Sequence, residues 1–300
     1  MKIIKYAAID IGSNALRLLI SNVIEYKKET ITLKNNLVRV PIRLGEDAFT
    51  TGTISRNNIK QIIRSMKAFQ NLMKVHNVNN YLAFATAALR EAKNGKDVVD
   101  RVKKKSGINI QIINGKKEAK IISNSNVFQG IDSKKTILYV DVGGGSTELS
   151  IIINKKVLKS ISLKIGTVRL LEDRVNIKTW VKAKQWVITC TKPYKNIFLL
   201  GTGGNINKLH KISKNKENQP LTYNELKKIY KNLNSLSYEE RIIEFALNQD
   251  RSDVIIPATE LFLKIFEWSG AKVVYVPRVG LSDGMIKELY KNTKLIINHE

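Results

Sequence analysis

The chain of 300 residues is poor in the residues that build disulfide frameworks and zinc sites. Its single cysteine, Cys190, excludes an internal disulfide framework. Three histidines, none paired with another at ligand spacing, make a zinc site unexpected. No uncharged apolar run reaches about 18 residues, so we expect no transmembrane helix. Asp10 and Arg17 interrupt the first apolar stretch, which also lacks a small-residue cleavage site and does not resemble a signal peptide. These absences predict a reducing, cytoplasmic setting.

Acidic residues are scarce as well. Aspartate and glutamate total 26 against 51 lysines and arginines, which gives a net charge of +25. Such an excess favours a polyanionic partner: nucleic acid, polyphosphate, a nucleotide or an acidic lipid. The lysines are scattered, however, and 39 of them against 12 arginines is also the composition expected from an AT-rich genome. The charge alone therefore leaves its functional meaning open.

Motifs of covalent and P-loop catalysis are missing too. No Gly-x-Ser-x-Gly segment occurs, and Cys190 has no recognisable histidine partner. Both absences disfavour a serine or cysteine nucleophile. The glycine-rich segment Gly201–Asn205 lacks the Gly-Lys-Ser/Thr of a Walker A sequence, although it offers a helix N-terminus to an anion or nucleotide. A tight connection without a ligand would explain that segment equally well.

Apolar periodicity predicts alternating strands and helices, which is typical of an α/β protein. Strands are expected at 5–11, 16–23, 30–41, 81–85, 109–113, 136–142, 149–153, 156–163, 196–200 and 272–276. Helices are expected at 55–75, 98–105, 118–127, 168–174, 179–192, 205–213, 223–234, 238–246, 252–268 and 280–292, with a loop around Thr86. Ser55 is the expected N-cap of the first helix, and Gly107 is expected to end the second.

The pattern contains an internal duplication. Ile9–Ser13 and Val140–Gly144 are two strand–Asp–x–Gly turns, and each precedes a predicted β-hairpin. The repeat predicts two related domains that face one another across a cleft.

The two turns are also the strongest candidates for chemistry. Asp10 and Asp141 end strands, at the sheet edge where α/β proteins usually bind ligands. Each offers a carboxylate for a hydrated Mg²⁺ and successive backbone amides for phosphate oxygens. Either turn alone would be read as a simple turn, but two of them favour a site.

Three further residues admit two readings each. Glu148 follows the second turn and is either a metal or water-orienting carboxylate or an exposed strand residue. Glu118 opens a predicted helix and is either a general base or an acid that complements the helix dipole. Arg90 is either a phosphate ligand or a surface arginine paired with an acidic neighbour.

Six motifs stand in an order that resembles the exopolyphosphatase/guanosine pentaphosphate phosphohydrolase family, over residues 6 to about 290. They are Asp10–Asn14, Thr86–Arg90, Gly115–Ala119, Asp141–Glu148, Gly201–Gly204 and Gly280–Gly284. The resemblance implies an actin-like, ribonuclease H-like fold with two domains, at 1–120 and 121–282, and a final helix from about 283 to 300 that packs back on the first. It also implies a short form without the C-terminal helical domains of longer relatives, which puts processivity in doubt.

The resemblance further implies roles for individual residues. Glu118 corresponds to the catalytic base, Asp141 and Glu148 to the metal and water-positioning carboxylates, and Asp10 to the aspartate of the first phosphate loop, a metal ligand. Residues expected to hold phosphoryl oxygens or substrate are Gly12, Ser13, Asn14, Arg43, Thr86, Arg90, Gly143, Gly144, Gly145, Ser146, Gly203 and Gly204. The chain departs from the family pattern at Lys117, Ala15, Asn205 and Asn207 without losing a carboxylate that the mechanism needs.

The implied activity is hydrolysis of the terminal phosphoanhydride of inorganic polyphosphate, guanosine pentaphosphate or both, with Mg²⁺ or another divalent cation. Two alternatives remain: an actin-fold kinase or ATPase, and a non-catalytic sensor of polyphosphate or nucleotide. A homodimer is common in the family, whereas a membrane or nucleic-acid partner is not expected. Substrate preference, chain length and metal identity stay open.

Overall fold

The computed structural model describes residues 1–27, 29–123, 125, 127 and 135–297. The chain divides into two compact units. Unit 1 comprises Met1–Ser125 and Gly280–Glu300, and unit 2 comprises Asn126–Val279.

Unit 1 is built on a five-stranded mixed sheet of order β3-β2-β1-β4-β5. Its strands are β1 (Lys2–Ile11), β2 (Leu16–Tyr26), β3 (Glu29–Val40), β4 (Asn80–Ala85) and β5 (Gln111–Ile112). The first three form an antiparallel meander, while β4 pairs parallel with β1 and β5 parallel with β4. Its helices are α1 (Leu44–Thr50), α2 (Arg56–Val75), α3 (Ala87–Glu91), α4 (Gly95–Ser106), α5 (Gly115–Ser123) and α13 (Leu281–Ile297).

Helix α2 supplies much of the unit 1 core. Ser55 caps it by accepting a hydrogen bond from the Asn58 amide, as predicted. Its buried apolar side chains recur at helical spacing and belong to the same cluster as the sheet residues: Ile59, Ile62, Met66, Phe69 and Met73. The amphipathic pattern of the sequence is therefore the cause of this packing.

Helix α13 returns to unit 1 and packs against β1, β4 and α5. Gly284 permits this approach, since a Cβ there would lie 2.3 Å from the backbone oxygen of Ile121. The Tyr6 hydroxyl donates to Thr293 over 2.9 Å, which ties the helix to β1.

Unit 2 is built on a six-stranded sheet of order β10-β11-β9-β6-β7-β8. Its strands are β6 (Thr136–Val142), β7 (Thr147–Ile153), β8 (Lys156–Leu163), β9 (Ile197–Thr202), β10 (Leu221–Thr222) and β11 (Val273–Tyr275). Its helices are α6 (Thr167–Leu171), α7 (Ile177–Thr191), α8 (Gly204–Ile212), α9 (Tyr223–Ser235), α10 (Tyr238–Phe245), α11 (Gln249–Ser252) and α12 (Ile255–Ser269).

The two sheets repeat one topology. In each, an antiparallel three-stranded meander is followed by a strand parallel to its first member and by a further parallel strand. Unit 2 adds the antiparallel edge strand β10. The predicted α/β fold and its internal duplication are confirmed.

Several predicted elements differ from the structure. The helix expected at 252–268 begins later, at Ile255, after the separate short helix α11, which ends at Ser252. Pro257 has no N–H to donate to the Asp253 carbonyl and its ring would clash there, which disfavours a continuous helix. The loop expected around Thr86 contains the short helix α3, and α13 continues past residue 292. Of the helix expected at 118–127, α5 ends at Ser123, and residues 124 and 126 lie outside the described part of the chain.

The three tryptophans pack against the unit 2 core. Trp180 and Trp268 meet edge to face with ring centroids 6.1 Å apart. Within the described ranges, no helix is long and apolar enough to cross a membrane.

Candidate active site

The first loop, residues 10–15, follows β1 in unit 1. Asp10 is buried and forms an ion pair with Arg17, whose Nη1 lies 3.1 Å from Asp10 Oδ2. Burial raises the pKa of the Asp10 carboxyl, and the positive charge and hydrogen bond of Arg17 act against that rise. The Gly12 amide donates to the Ala15 carbonyl over 3.2 Å, which closes a tight turn.

Helix α1 lies directly against this loop. The Gly45 amide donates to the Ser13 carbonyl over 2.8 Å, and a Cβ at Gly45 would lie 3.0 Å from Ser13 Cβ. Arg43 is the N-cap residue of α1, two positions earlier. The fold therefore places the sequence-predicted Arg43 next to the loop that carries Ser13 and Asn14.

Thr86 is the N-cap residue of α3, which follows the neighbouring strand β4, and Arg90 lies within that helix. Thr86 is buried, and its amide donates to the Ile11 carbonyl over 3.2 Å, so it lies at the same end of the sheet as the first loop. Arg90 is half-buried, and its Nη1 donates to the Ile113 carbonyl over 2.9 Å.

Glu118 occupies the first turn of α5 in unit 1 and is 9% exposed. Its amide donates to the Asn114 carbonyl over 3.0 Å, and the Asn114 side chain accepts from the Lys117 amide. The ammonium of Lys117, one of the departures from the family pattern, lies 4.8 Å from the centroid of the Phe84 ring. Lys117 thus has a local binding partner of its own on β4.

The second loop, residues 141–146, has the same turn in unit 2. The Gly143 amide donates to the Ser146 carbonyl over 2.9 Å, as Gly12 does to Ala15 in the first loop. Asp141 on β6 faces Glu148 on β7 in the antiparallel register, and carboxylate oxygens of the two lie within 4.8 Å of one another. Two carboxylates at this distance are the oxygen ligands that a divalent cation such as Mg²⁺ prefers. This acidic pair can therefore hold a metal ion.

Two serine hydroxyls hold the Glu148 carboxylate, which is 2% exposed. Ser146 Oγ donates to Glu148 Oε1 over 2.7 Å, and Ser162 Oγ donates to the same oxygen over 2.9 Å. Ser162 is the residue opposite Glu148 in the β7–β8 register. Sequence reasoning missed Ser162, because only the strand register brings it to Glu148.

The third loop, which contains Gly203 and Gly204, packs against Asp141. Gly203 has φ +105°, and a Cβ there would lie 3.2 Å from Asp141 Oδ1 and 3.0 Å from the Val142 carbonyl oxygen. Glycine is therefore required at this position for two reasons: the positive φ favours it, and a Cβ would lie too close to Asp141 and Val142. Helix α8 begins at Gly204, so its N-terminus lies beside the acidic pair.

Arg169 is the second residue that sequence reasoning missed. It is 7% exposed, and its Nε donates to the Gly145 carbonyl over 2.6 Å. A single arginine among apolar neighbours, just after Gly166, is the only sequence signal for it, and it is a weak one.

Comparison with known proteins places the chain in a family. The model of the Ppx/GppA phosphatase family matches residues 37–293. The chain belongs to the Ppx/GppA phosphatase family, as the six motifs indicated.

Curated relatives of the chain include three differently named enzymes. It is 29% identical to a bifunctional 3-dehydroquinate synthase/phosphatase of Fusobacterium nucleatum, over 95% of this chain and 46% of the relative. It is 27% identical to a guanosine-5'-triphosphate,3'-diphosphate pyrophosphatase of Aliivibrio fischeri, over 95% and 60%. It is also 27% identical to exopolyphosphatase 1 of Mycobacterium tuberculosis, over 56% and 48%. The chain spans about half the length of these relatives.

Solved structures agree with the fold. An exopolyphosphatase from Cytophaga hutchinsonii superposes with a TM-score of 0.83 at 21% identity and covers 96% of this chain and 98% of its own. The PPX-GPPA enzyme of Aquifex aeolicus has a TM-score of 0.74 at 26% identity and covers 95% and 99%. The predicted fold class is thus also that of solved family members.

Proposed function

We propose that this protein hydrolyses the terminal phosphoanhydride of inorganic polyphosphate, of guanosine pentaphosphate, or of both, and releases orthophosphate. The observation that carries the proposal is the Asp141–Glu148 pair beside the glycine-rich second loop. Membership of the Ppx/GppA phosphatase family supports the reaction class. The names of the two relatives above support the two substrates.

The acidic residues have different roles in the proposed reaction. Asp141 and Glu148 would hold the divalent cation in unit 2, and Asp10 of the first loop stays a predicted metal ligand. When bound, the cation neutralises charge on the phosphate oxygens. Ser162 fixes the orientation of the Glu148 carboxylate, so that its second oxygen keeps a constant direction.

Glu118 is the proposed general base, which accepts a proton from the attacking water. Its position in the first turn of α5 and its burial limit its contact with bulk solvent. No nucleophilic serine or cysteine is needed, and orthophosphate and the shortened chain leave without a covalent intermediate.

The two loops and their neighbours would bind the substrate. In unit 1 this set is Gly12, Ser13, Asn14, Arg43, Thr86 and Arg90, and in unit 2 it is Gly143, Gly144, Gly145, Ser146, Gly203 and Gly204. Since the Ser146 hydroxyl donates to Glu148, we assign Ser146 to phosphate through its backbone amide. The domain limits at 120 and 282, the cytoplasmic setting, a homodimer, and the exclusion of membrane and nucleic-acid partners stay predictions.

The experiment compares orthophosphate release from tripolyphosphate, long-chain polyphosphate, guanosine pentaphosphate and ATP. Each reaction is run with Mg²⁺ and with excess EDTA, and Asp141→Asn is the matched variant. We expect metal-dependent release from the first three and a large loss in Asp141→Asn. A phosphorylated acceptor formed from ATP would support the kinase alternative. Tight polyphosphate binding without release would support the sensor and overturn the proposal.

A further inference from the structure

The three glycine carbonyls of the second loop, those of residues 143–145, all accept hydrogen bonds from one segment of unit 2. The Thr167 amide donates to the Gly143 carbonyl over 3.0 Å, and the Val168 amide donates to the Gly144 carbonyl over 2.8 Å. Arg169 Nε donates to the third carbonyl, that of Gly145, over 2.6 Å. The first turn of α6 and one buried guanidinium therefore bind every carbonyl of the triple glycine.

This arrangement determines where the loop amides point. The peptide bonds of the loop are trans. In a planar trans peptide the carbonyl of one residue and the N–H of the next point in opposite directions. With three carbonyls directed to residues 167–169, the amides of Gly144, Gly145 and Ser146 are directed away from α6. Three successive amides with one orientation form an anion-binding nest.

The first loop provides an internal comparison. There, α1 binds one carbonyl, that of Ser13, through the Gly45 amide over 2.8 Å. The equivalent bond in unit 2 joins Val168 to Gly144 over the same 2.8 Å. The position of Arg169 is taken by Glu46 in unit 1, so the guanidinium contact distinguishes the second loop.

We infer that Arg169 is a positioning residue, which holds the second loop so that the amides of Gly144, Gly145 and Ser146 bind the phosphoryl group of the substrate. Arg169 does this through the Gly145 carbonyl and does not itself touch substrate. The buried positive charge also favours an anion at the loop. The inference rests on the proposed function and deepens it by assigning the role of a residue outside the predicted motifs.

The test compares Arg169→Met and Arg169→Lys with Arg174→Met. Arg174 is an exposed arginine further along the same segment, which makes it a control for loss of charge. Removing one hydrogen-bond donor from an anion site lowers kcat by about 100-fold or more. Without the Arg169 contact the Gly145–Ser146 peptide is no longer held, so the Ser146 amide is the donor that would be lost. We expect a loss of about 100-fold in kcat for Arg169→Met, with a smaller change in KM. Arg169→Lys keeps the charge and one donor, so we expect a smaller loss.

Hydrogen exchange with tripolyphosphate gives a readout that does not need turnover. Tripolyphosphate should slow exchange of the amides of residues 144–146 in the wild type and in Arg174→Met, and this protection should be lost in Arg169→Met. If Arg169→Met does not fold, Arg169→Lys must show the same effects in weaker form. Unchanged kcat and protection in the Arg169 variants would overturn the inference while the proposed function stands. Protection without orthophosphate release in the wild type would overturn the function and keep the role of Arg169.

Discussion

Ser162 donates its hydroxyl to Glu148 Oε1 over 2.9 Å from the neighbouring strand, and Ser146 binds the same oxygen from the loop. One oxygen of the carboxylate, Oε1, thus accepts both hydroxyl hydrogen bonds. A carboxylate fixed in this way presents its other oxygen with little loss of rotational freedom when a cation binds. The strand register, rather than a sequence motif, creates this geometry.

Ser162→Ala should therefore weaken metal binding more than it weakens the fold. Loss of a hydrogen-bond partner behind a metal ligand typically costs about 10- to 100-fold in metal affinity. We expect the Mg²⁺ concentration for half-maximal phosphate release to rise by about tenfold, with activity recovered at high Mg²⁺. Ser160→Ala, an exposed serine on the same strand, is the control. Equal Mg²⁺ midpoints in both variants would contradict the role.

Glu118→Gln removes the proposed general base and keeps the size of the side chain. General-base catalysis contributes about 10²- to 10⁴-fold, so kcat should fall by that order while calorimetry shows tripolyphosphate binding nearly unchanged. Glu239→Gln is the matched control, because Glu239 is an exposed acid in the first turn of α10. Wild-type kcat in Glu118→Gln would remove Glu118 from the mechanism.

Gly166→Ala should disturb the second loop through its backbone. A Cβ at this position would lie 2.4 Å from the Gly144 carbonyl oxygen, which no side-chain rotation can relieve. Overpacking of this kind costs about 1–3 kcal/mol, and phosphate release should fall with it. Gly280→Ala is the control, since a Cβ there meets nothing within 4 Å. Urea unfolding measures the difference, and equal stabilities of the two variants would contradict the close contact.

The pH dependence of stability should report on the contact between α13 and β2. The Tyr290 hydroxyl donates to Glu25 Oε1 over 2.6 Å and, with Lys294, holds the pKa of the Glu25 carboxyl below its usual value. Because the pKa of Glu25 is lower in the folded than in the unfolded protein, its ionisation stabilises the fold at pH values above the unfolded-state pKa. This stabilisation is lost as the pH falls through the folded-state pKa.

Tyr290→Phe removes the hydroxyl and with it most of that contribution. Urea unfolding at about pH 7 and about pH 3 should therefore show the wild type more stable than Tyr290→Phe at the higher pH, with a smaller difference at the lower one. Tyr26→Phe, an exposed tyrosine on β2, serves as the control. If the difference in stability between the wild type and Tyr290→Phe were the same at both pH values, the proposed contact with ionised Glu25 would be wrong.

Much of the fold follows from local sequence pattern. Strand β6 and helix α2 have the predicted bounds to within a residue, because apolar periodicity and a serine cap are local signals. The short helices α1 and α3 were not predicted, because one or two helical turns are too short to show a periodic pattern of apolar residues. Pro257 favours the break before α12, and its effect reaches back four residues to Asp253.

The candidate site was predictable only in part. Each of the two Asp-x-Gly turns is a contiguous segment, and Glu148 follows the second turn closely in sequence, so the motifs indicate these residues directly. Ser162 and Arg169 act across strand and loop contacts with partners 14 and 24 positions away. Nothing in their immediate neighbours marks such residues, and the register of β8 and the packing of α6 are needed to find them.

The return of α13 to unit 1 has a consequence for synthesis on the ribosome. The surface of β1 and β4 that α13 covers is synthesised early, whereas α13 itself is synthesised after all of Asn126–Val279. Unit 2 is continuous in the chain and can complete its core first, because domains fold as units during translation. Nascent unit 1 must therefore keep an apolar sheet face exposed until α13 has been synthesised. Because of this exposed face, unit 1 is the part of the nascent chain for which a chaperone is most useful.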